Sequence, residues 1–394
     1  MKIKNLLKKS SVLRKLNAEI KCIHKKKVYN DFCKKYKTPS ILLCPQEIKN
    51  ISRRLFLSSN TAPSKSTPKS IKVLFVGTDW EQDRSGIIQG LQNCAETKIF
   101  NHKPGHPGQK WPDNLKGSDA VRRFNGDVLV ATAQKMLAND GLDLVIGQMW
   151  GISMHPEALS TLKRLGIKIV NISMDDRHAF RGLRIERGSW GGTLSLVPYI
   201  DLACTDAAEC VYWYEKEGCK AIFFPEASDP ELFRPLPVPK NYDVSFVGAN
   251  YGIRSNMVRA LESEGIKVQV YGKGWPRGRI STEKVPELFA RSKIILGCGT
   301  VGHCKDFMAL KLRDFDGPMS GSLYLTHNNP DLFCLYEINK EIILFDNIKD
   351  MVKKVKYYLN YNDERERIAH RGRLRAMNCH TWKSRFQYLL REVF

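Results

Sequence analysis

The sequence predicts an α/β protein made of two doubly wound domains in tandem. Its 394 residues, 42% of them hydrophobic, exceed the ~250–300 residues at which a single core stops growing. Short β-branched apolar runs alternate with helical patterns, which is typical of mainly parallel sheets. The alternation is interrupted once, by four prolines in residues 229–243, and then restarts. A domain boundary is expected at that interruption.

The first 70 residues carry most of the positive charge. They hold 18 Lys or Arg and 3 Asp or Glu, in a chain whose net charge is +22. In residues 1–27, apolar side chains recur at three- and four-residue steps among lysines, which predicts a basic amphipathic helix. Two interpretations stay open: a solvated arm packed on the body, or an anchor on an anionic membrane surface. We assign residues 1–57 to a basic helical extension and the Ser-, Thr- and Pro-rich residues 58–70 to a flexible linker.

The cysteines and the N-terminus exclude several classes of protein. The 11 cysteines are scattered, and none has the spacing of a zinc site, so no metal centre is predicted and a reducing, cytoplasmic compartment fits best. Cys22, Cys33 and Cys44 recur every eleven residues, which predicts a shared packed stripe on a helix. Lysines interrupt any secretory h-region, and no window approaches ~18 uncharged apolar residues. The expected location is cytoplasmic, with peripheral contact at the inner face of the membrane as the open alternative.

The first domain is assigned to residues 71–228, followed by an interdomain linker at 229–242. Apolar runs predict strands at 72–76, 142–146, 168–172, 202–204 and 221–224, with helices at 156–165 and 207–216. Ligands of such sheets bind beyond the carboxyl ends of the strands. The third run leads into Asp175, Asp176 and His178, our first candidates for the general base of a proton transfer. The alternative is that either aspartate caps the following helix; Asp79 and Glu81, after the first run, are the second choice.

The second domain is assigned to residues 243–380, with a C-terminal helix at 381–394. Five apolar runs, at 243–247, 267–271, 293–296, 322–326 and 341–345, repeat the theme. The first is followed by Gly248 and a turn that feeds a helix at Arg254. Such a turn offers free N–H groups to an anion, and arginine adds a two-pronged donor for phosphate oxygens. An ordinary strand-to-helix turn with an exposed arginine is the alternative.

A cluster of charged residues precedes the fourth run of this domain. Lys311 and Arg313 suit a diphosphate, and Asp316 suits the hydroxyls of a ribose. Ser320 and Gly321, which close the segment, complete our set of candidate nucleotide contacts. A surface turn held by salt bridges would have the same composition. Nucleic-acid binding is disfavoured, because the basic charge is not interleaved with stacking aromatic residues.

From Lys311 onward the chain resembles the C-terminal half of the CgeB-like glycosyltransferases, relatives of glycosyltransferase group 1 with a GT-B fold. The resemblance rests on TxxNPDL, EINKEIILF, KKVKYYL and HTWKSRF. It extends to KVLFVGTDWE at 72–81, MDDRHAF at 174–180, FFPEASDPELFRP at 223–235, and YDVSFVGANYGIRSNMVRAL with VYGKGW within 242–275. It therefore covers about residues 70–394 and leaves the basic extension unexplained.

The resemblance implies two Rossmann-like domains facing a central cleft, with a nucleoside diphosphate-sugar donor held by the second and an acceptor by the first. Arg254 matches a basic residue that binds the diphosphate, and Asp316 stands where relatives usually have a ribose-binding glutamate. Met308 stands where many relatives have another acidic residue, so neither a retaining nor an inverting outcome carries over. The expected activity is metal-independent sugar transfer to a carbohydrate or cell-envelope acceptor, without a cofactor beyond the donor substrate. The alternative is a catalytically inactive GT-B protein that binds a sugar nucleotide or an envelope polymer.

Overall fold

The computed structural model describes residues 11–38, 50, 53, 70–78 and 82–394, with the side chains of 11–15 and 187 left aside. These residues form two compact units. The five-stranded unit comprises residues 11–38 and 235–372, and the six-stranded unit comprises the described residues from 50 to 234 together with 373–394. Residues 58–69 of the predicted linker, and the candidates Asp79 and Glu81, lie outside the described residues.

The described strands and α-helices follow one another along the chain in α/β order. The strands are β1 (Lys72–Val76), β2 (Glu96–Ile99), β3 (Asn101–Lys103), β4 (His106–Pro107), β5 (Leu144–Gly147), β6 (Lys168–Ser173), β7 (Leu202–Thr205), β8 (Ala221–Phe223), β9 (Tyr242–Val247), β10 (Val268–Tyr271), β11 (Ser292–Leu296), β12 (Leu323–His327) and β13 (Ile343–Phe345). The helices are α1 (Ser11–Tyr36), α2 (Ile88–Gln92), α3 (Ser118–Asn139), α4 (Pro156–Arg164), α5 (Asp176–Ala179), α6 (Ala208–Lys216), α7 (Arg254–Glu262), α8 (Val285–Ala290), α9 (Arg313–Met319), α10 (Ile348–Asn360), α11 (Asn362–Cys379) and α12 (Trp382–Val393).

The six-stranded sheet has the order β2-β1-β5-β6-β7-β8, and all its strand pairs are parallel. Its central strands are apolar and buried, as a parallel sheet covered on both faces requires. The predicted strands of this domain are confirmed, whereas β2 was missed. This edge strand, with the sequence ETKI, alternates exposed and half-buried residues and so lacks an apolar run.

The five-stranded sheet has the order β10-β9-β11-β12-β13 and is also parallel throughout. All five predicted apolar runs form its strands. Their side chains, with those of α7 and α10, make one buried core. The first strand of this sheet, β9, lies between β10 and β11: the chain passes from β9 to β10 on one side and then crosses to β11 on the other. Such a switch point opens a crevice at the carboxyl ends of the strands, where ligands of open α/β sheets bind.

Helix α1 packs against the five-stranded unit. Its inner face carries Cys22, which forms a disulfide with Cys304 across a Cα–Cα distance of 5.2 Å. Lys26 forms an ion pair with Asp306, and the rings of Tyr29 and Phe307 lie 5.3 Å apart. The described part of the basic extension is therefore fastened to the body. The disulfide departs from the expectation of reduced thiols at Cys22 and Cys304, whereas the other eight described cysteines are thiols.

The C-terminal helices belong to both units. Helix α11 begins in the five-stranded unit, and the division falls after Gly372, within the helix. Helix α12 packs in the six-stranded unit, where Trp382 and Phe386 lie 6.4 Å and 5.9 Å from the ring of Phe224. None of the described helices is both long enough and apolar enough to cross a membrane.

Candidate functional site

Two arginines converge at the carboxyl edge of the five-stranded sheet. Arg254 is the first residue of α7, and Arg313 is the first residue of α9. Each donates from Nη2 to the same acceptor, the carbonyl oxygen of Cys298, at 3.3 Å and 3.4 Å. Arg313 also donates from Nη1 to the carbonyl of Val247 at 2.6 Å. Val247 ends β9 and Cys298 follows β11, so the pair lies at the switch point.

Among the described residues, the hydrogen-bond partners of the arginine pair include no carboxylate. Arg254 is 3% exposed, and it also donates to the Ala249 carbonyl at 2.9 Å and to the Tyr251 hydroxyl at 2.7 Å. The guanidinium carbons of Arg254 and Arg313 lie 5.5 Å and 4.9 Å from the centre of the Phe246 ring. Burial lowers the pKa of Arg254, and the charge of Arg313 lowers it further. Arg254 is buried and Arg313 is half-buried, and two such neighbouring cations without a carboxylate are costly, so a bound anion would remove that cost.

Gly248 leaves the space in which the arginines meet. Its φ of 155° disfavours residues with a side chain. A Cβ there would lie 2.8 Å from Nη1 of Arg313 and 3.3 Å from Nη1 of Arg254. The indole of Trp275 donates to the Gly248 carbonyl at 2.8 Å and holds the turn. The predicted glycine turn thus serves to admit the two guanidinium groups.

Four buried nitrogens around this edge have no hydrogen-bond partner in the described structure. They are Nε of Arg254, Nε of Arg313, Nδ1 of His327 and Nδ2 of Asn329. His327 ends β12, and Asn329 follows two residues later. Native proteins leave few such groups unpaired, so their concentration here points to a polar ligand rich in acceptors. His327 and Asn329 were not among the predicted site residues, although both lie just after the end of the apolar run at 322–326.

A thiol lies beside the arginine pair. The Cys298 side chain is 1% exposed, and its sulfur lies 3.3 Å from Oγ1 of Thr300. Burial alone would raise the pKa of this thiol, but the His327 hydrogen bond, the Arg254 charge and the Thr300 hydroxyl together lower it from 9.0 to about 6. The ring of His327 stacks on Phe345 at 5.1 Å, which fixes its orientation. A negative sulfur here would partly balance the two arginines.

The other predicted nucleotide contacts lie on or next to α9. Lys311 is half-buried, and its backbone N–H donates to Asp314 at 2.7 Å. Asp314 is 1% exposed and accepts the Tyr324 hydroxyl at 2.6 Å, while burial raises its pKa. Asp314 therefore fixes the start of the helix that presents Arg313. Asp316 lies in the first turn of the same helix and is 4% exposed.

Ser320 and Gly321 do not lie with the arginine pair. The seven residues of α9 carry the chain ~10 Å away from Arg313, toward the amino end of β12. There the Ser320 hydroxyl donates to the Gly317 carbonyl at 2.7 Å. The Gly321 carbonyl accepts from Lys240 at 3.0 Å. Both residues lie at the end of α9 opposite Arg313, so the structure does not bring them together with the arginine pair.

Asp175 and His178 form a pair just beyond β6 in the six-stranded unit. Nε2 of His178 lies 3.7 Å from Oδ1 of Asp175, and their side chains are 16% and 46% exposed. Asp175 precedes α5 but makes no side-chain capping hydrogen bond to it. The carboxylate is therefore available to an incoming group.

Asp176 is buried, unlike its neighbour. Its carboxylate is 0% exposed and accepts hydroxyl hydrogen bonds from Ser173 at 2.7 Å, Thr193 at 2.8 Å and Tyr214 at 3.0 Å. Burial raises its pKa, while these hydroxyls oppose the shift. An acceptor hydroxyl cannot reach this group, so Asp176 holds the turn and does not fit the predicted role of base. Among the described residues, no three His, Cys, Asp or Glu side chains cluster as a metal site requires.

The comparisons with known proteins agree with this architecture. Residues 254–391 match the family described as glycosyl transferase-like. Sucrose-phosphate synthase from Thermosynechococcus elongatus superposes with a TM-score of 0.56 at 10% identity, over 83% of this chain and 99% of that one. A glycosyltransferase from Rickettsia africae gives 0.58 at 12% identity, over 83% and 98%. HepE from Anabaena, solved in complex with UDP, gives 0.54 at 10% identity, over 82% and 99%.

No curated protein sequence matches the chain significantly. The likeness to the solved structures concerns the fold, which the sheets and the matched segment share with glycosyltransferases of the GT-B class. The chain therefore has an α/β fold of GT-B type with Rossmann-like domains, and its residues 254–391 form a glycosyl transferase-like segment.

Proposed function

We propose that the protein is a glycosyltransferase that takes a sugar from a nucleoside diphosphate-sugar donor bound at Arg254 and Arg313. The observation that carries the proposal is the meeting of these two cations, without a carboxylate, at the switch point of the sheet. A diphosphate supplies the negative charge and the acceptor oxygens that this place lacks. The match to the glycosyl transferase-like family and the UDP bound to HepE support the same class of donor.

The arginine pair would also stabilise the leaving group of the transfer reaction. When the bond between the sugar and the diphosphate breaks, the leaving oxygens gain negative charge. Cations already in place stabilise that charge without reorganising, which lowers the barrier. We assign a supporting charge to the half-buried Lys311 and the ribose hydroxyls to Asp316, one turn of α9 beyond Arg313. Transfer without a metal ion is part of the proposal, because the two arginines would supply the positive charge that a metal ion supplies in other enzymes.

The acceptor would be a carbohydrate or another envelope component held by the six-stranded unit. We assign removal of its proton to the Asp175–His178 pair, which lies at the carboxyl edge of that sheet. A carboxylate 3.7 Å from an imidazole nitrogen brings together two side chains of the kinds that serve as general bases.

A second candidate function is binding of a sugar nucleotide without turnover. It is favoured by Met308, an apolar side chain, 8% exposed, where related enzymes often have an acidic residue. Such a protein would keep the diphosphate site and lack transfer.

A panel of UDP-, GDP-, ADP- and TDP-sugars distinguishes the two functions. Calorimetry would measure the binding of each nucleotide, and the release of nucleoside diphosphate would be followed with and without oligosaccharide acceptors. We expect one nucleotide to bind and its sugar to be transferred or hydrolysed. Binding without turnover across the panel would assign the protein to the second function, and failure of every nucleotide to bind would refute both.

A further inference from the structure

The N-terminal helix exposes a row of large apolar side chains. Leu16, Ile20 and Ile23 are 52%, 56% and 67% exposed. Their spacing of four and three residues places them on one face of α1. Single exposed apolar residues are common, but a contiguous row marks a surface that meets a partner. We call this row the outer face of α1.

The charged residues around the outer face indicate which kind of partner would bind it. Residues 1–27 contain ten Lys or Arg and one Glu. The outer row continues with the exposed Lys27, four residues after Ile23, and with the exposed Lys34, seven residues or about two turns further along the helix. An apolar row flanked by lysines matches the boundary between lipid headgroups and acyl chains of an anionic bilayer. A second copy of the chain would instead bring two strongly basic faces together.

The opposite side of α1 shows that the helix is part of a folded unit. Cys22, Lys26 and Tyr29 contact Cys304, Asp306 and Phe307, respectively. The outer face is therefore presented by a helix fixed to the five-stranded unit, and a bilayer that held it would hold the unit with Arg254 and Arg313.

We propose that Leu16, Ile20, Ile23, Lys27 and Lys34 form a surface that binds anionic lipid bilayers. The row of three apolar side chains enters the headgroup boundary, and the lysines contact the lipid phosphates. Because this inference rests on α1 alone, it is independent of the proposed transfer reaction.

Vesicle sedimentation of the full chain tests the surface. We expect binding to vesicles of phosphatidylglycerol and phosphatidylcholine (1:3) and little to pure phosphatidylcholine. The variant Leu16→Ser/Ile20→Ser/Ile23→Ser should bind at least ~10²-fold more weakly, since it removes the apolar contact. Lys27→Gln/Lys34→Gln should lose ~25-fold, about fivefold per lysine. Raising the salt from 0.1 to 1 M shortens the screening length from ~10 Å to ~3 Å and should weaken wild-type binding.

Two matched controls use the same chemistry elsewhere. Leu374→Ser/Met377→Ser changes exposed apolar residues of α11, and Lys349→Gln/Lys353→Gln changes exposed lysines of α10. Both should bind vesicles like the wild type, and unchanged melting temperatures would show that all variants are folded. Wild-type levels of binding by the two α1 variants would overturn the proposal, as would equal binding of the wild type to neutral vesicles. Loss of a dimer in the apolar variant, measured by sedimentation velocity, would assign the face to a second copy instead.

Discussion

Replacing Arg254 with Met should weaken the binding of a nucleoside diphosphate. It should not lower the stability of the ligand-free protein, although substitutions of buried residues normally do. Met keeps most of the aliphatic volume and removes the charge. The loss includes hydrogen bonds to Tyr251 and Ala249. The gain is relief of the charge repulsion between Arg254 and Arg313. Both arginines donate to the carbonyl oxygen of Cys298, and no carboxylate of the described residues balances them. Because the gain offsets the loss, the unfolding free energy of the empty variant should stay within ~1 kcal/mol of wild type.

The magnitude of the binding effect follows from the charge. A hydrogen bond to a charged group is worth ~1.5–3 kcal/mol, so losing one should weaken UDP binding by roughly 10- to 150-fold. Uridine has no phosphate and should bind the variant about as well as the wild type. At a UDP concentration of ~100 times the wild-type Kd, the wild type gains ~2.7 kcal/mol of stability. A variant with ~50-fold weaker binding would gain only ~0.6 kcal/mol under the same conditions.

Calorimetry and thermal denaturation measure the two quantities. At ~2–4 °C per kcal/mol, UDP should raise the melting temperature by ~5–11 °C in the wild type and by ~1–3 °C in the variant. Arg259→Met is the matched control, because Arg259 is exposed in the last turn of the same helix. If Arg254→Met bound UDP as tightly as the wild type while folded, the arginine pair would not be a diphosphate site. The turn after β9 would then be an ordinary strand-to-helix connection.

Four further predictions concern other parts of the molecule. Asp175→Asn should lower sugar transfer by ~10²-fold at unchanged nucleotide affinity, measured by product chromatography; a wild-type rate would move the base elsewhere. Asp176→Ala should lower the unfolding free energy by ~1–3 kcal/mol in urea denaturation, because it strands three buried hydroxyls, and an unchanged midpoint would contradict that packing. The pKa of Cys298 is lowered from 9.0 to about 6, so its thiolate stabilises the fold fully above pH 9, and this contribution decreases as the pH falls and is lost below about 6. Cys298→Ala should remove that pH dependence from the urea midpoints, and identical pH profiles for the variant and the wild type would refute it. Cys22→Ser should make α1 more susceptible to limited proteolysis under non-reducing conditions, whereas Cys33→Ser, on the same helix but outside the disulfide, should not; equal cleavage would argue against the cross-link.

Sequence patterns predicted most strands of the two sheets, because strands covered on both faces must be apolar, and they missed the edge strand β2, which is not. They also predicted that Arg254 follows a strand end and that Arg313 belongs to a charged segment before the fourth apolar run. They could not predict that both guanidinium groups reach the carbonyl of Cys298, because that depends on how the connections after β9 and β11 fold. Nor could they predict that Ser320 lies apart from Arg313, because this depends on the seven-residue helix that forms between them.

Two adjacent aspartates that were both predicted as the general base lie in opposite environments. Asp175 and Asp176 cannot be distinguished by composition or spacing. In the structure, one carboxylate is 46% exposed and the other is fully enclosed by hydroxyls. The turn after β6 decides which of them faces outward, and turn geometry leaves no periodic signal in the sequence.

The course of the chain between the two units has a consequence for its synthesis. Residues 11–38 join the five-stranded unit, the chain then builds most of the six-stranded unit, returns to complete the first, and ends in the second with residues 373–394. When α1 leaves the ribosome, its disulfide partner is still 282 residues away. The six-stranded unit likewise cannot be completed before Trp382 is synthesised. Trp382 packs so closely on Gly90 that a Cβ at that glycine would lie within 3.0 Å of its backbone and side chain. Neither unit can close until translation has nearly finished, so the chain must keep apolar surfaces from associating wrongly for most of its synthesis. Expression of residues 71–228 or 243–380 alone would omit part of each core.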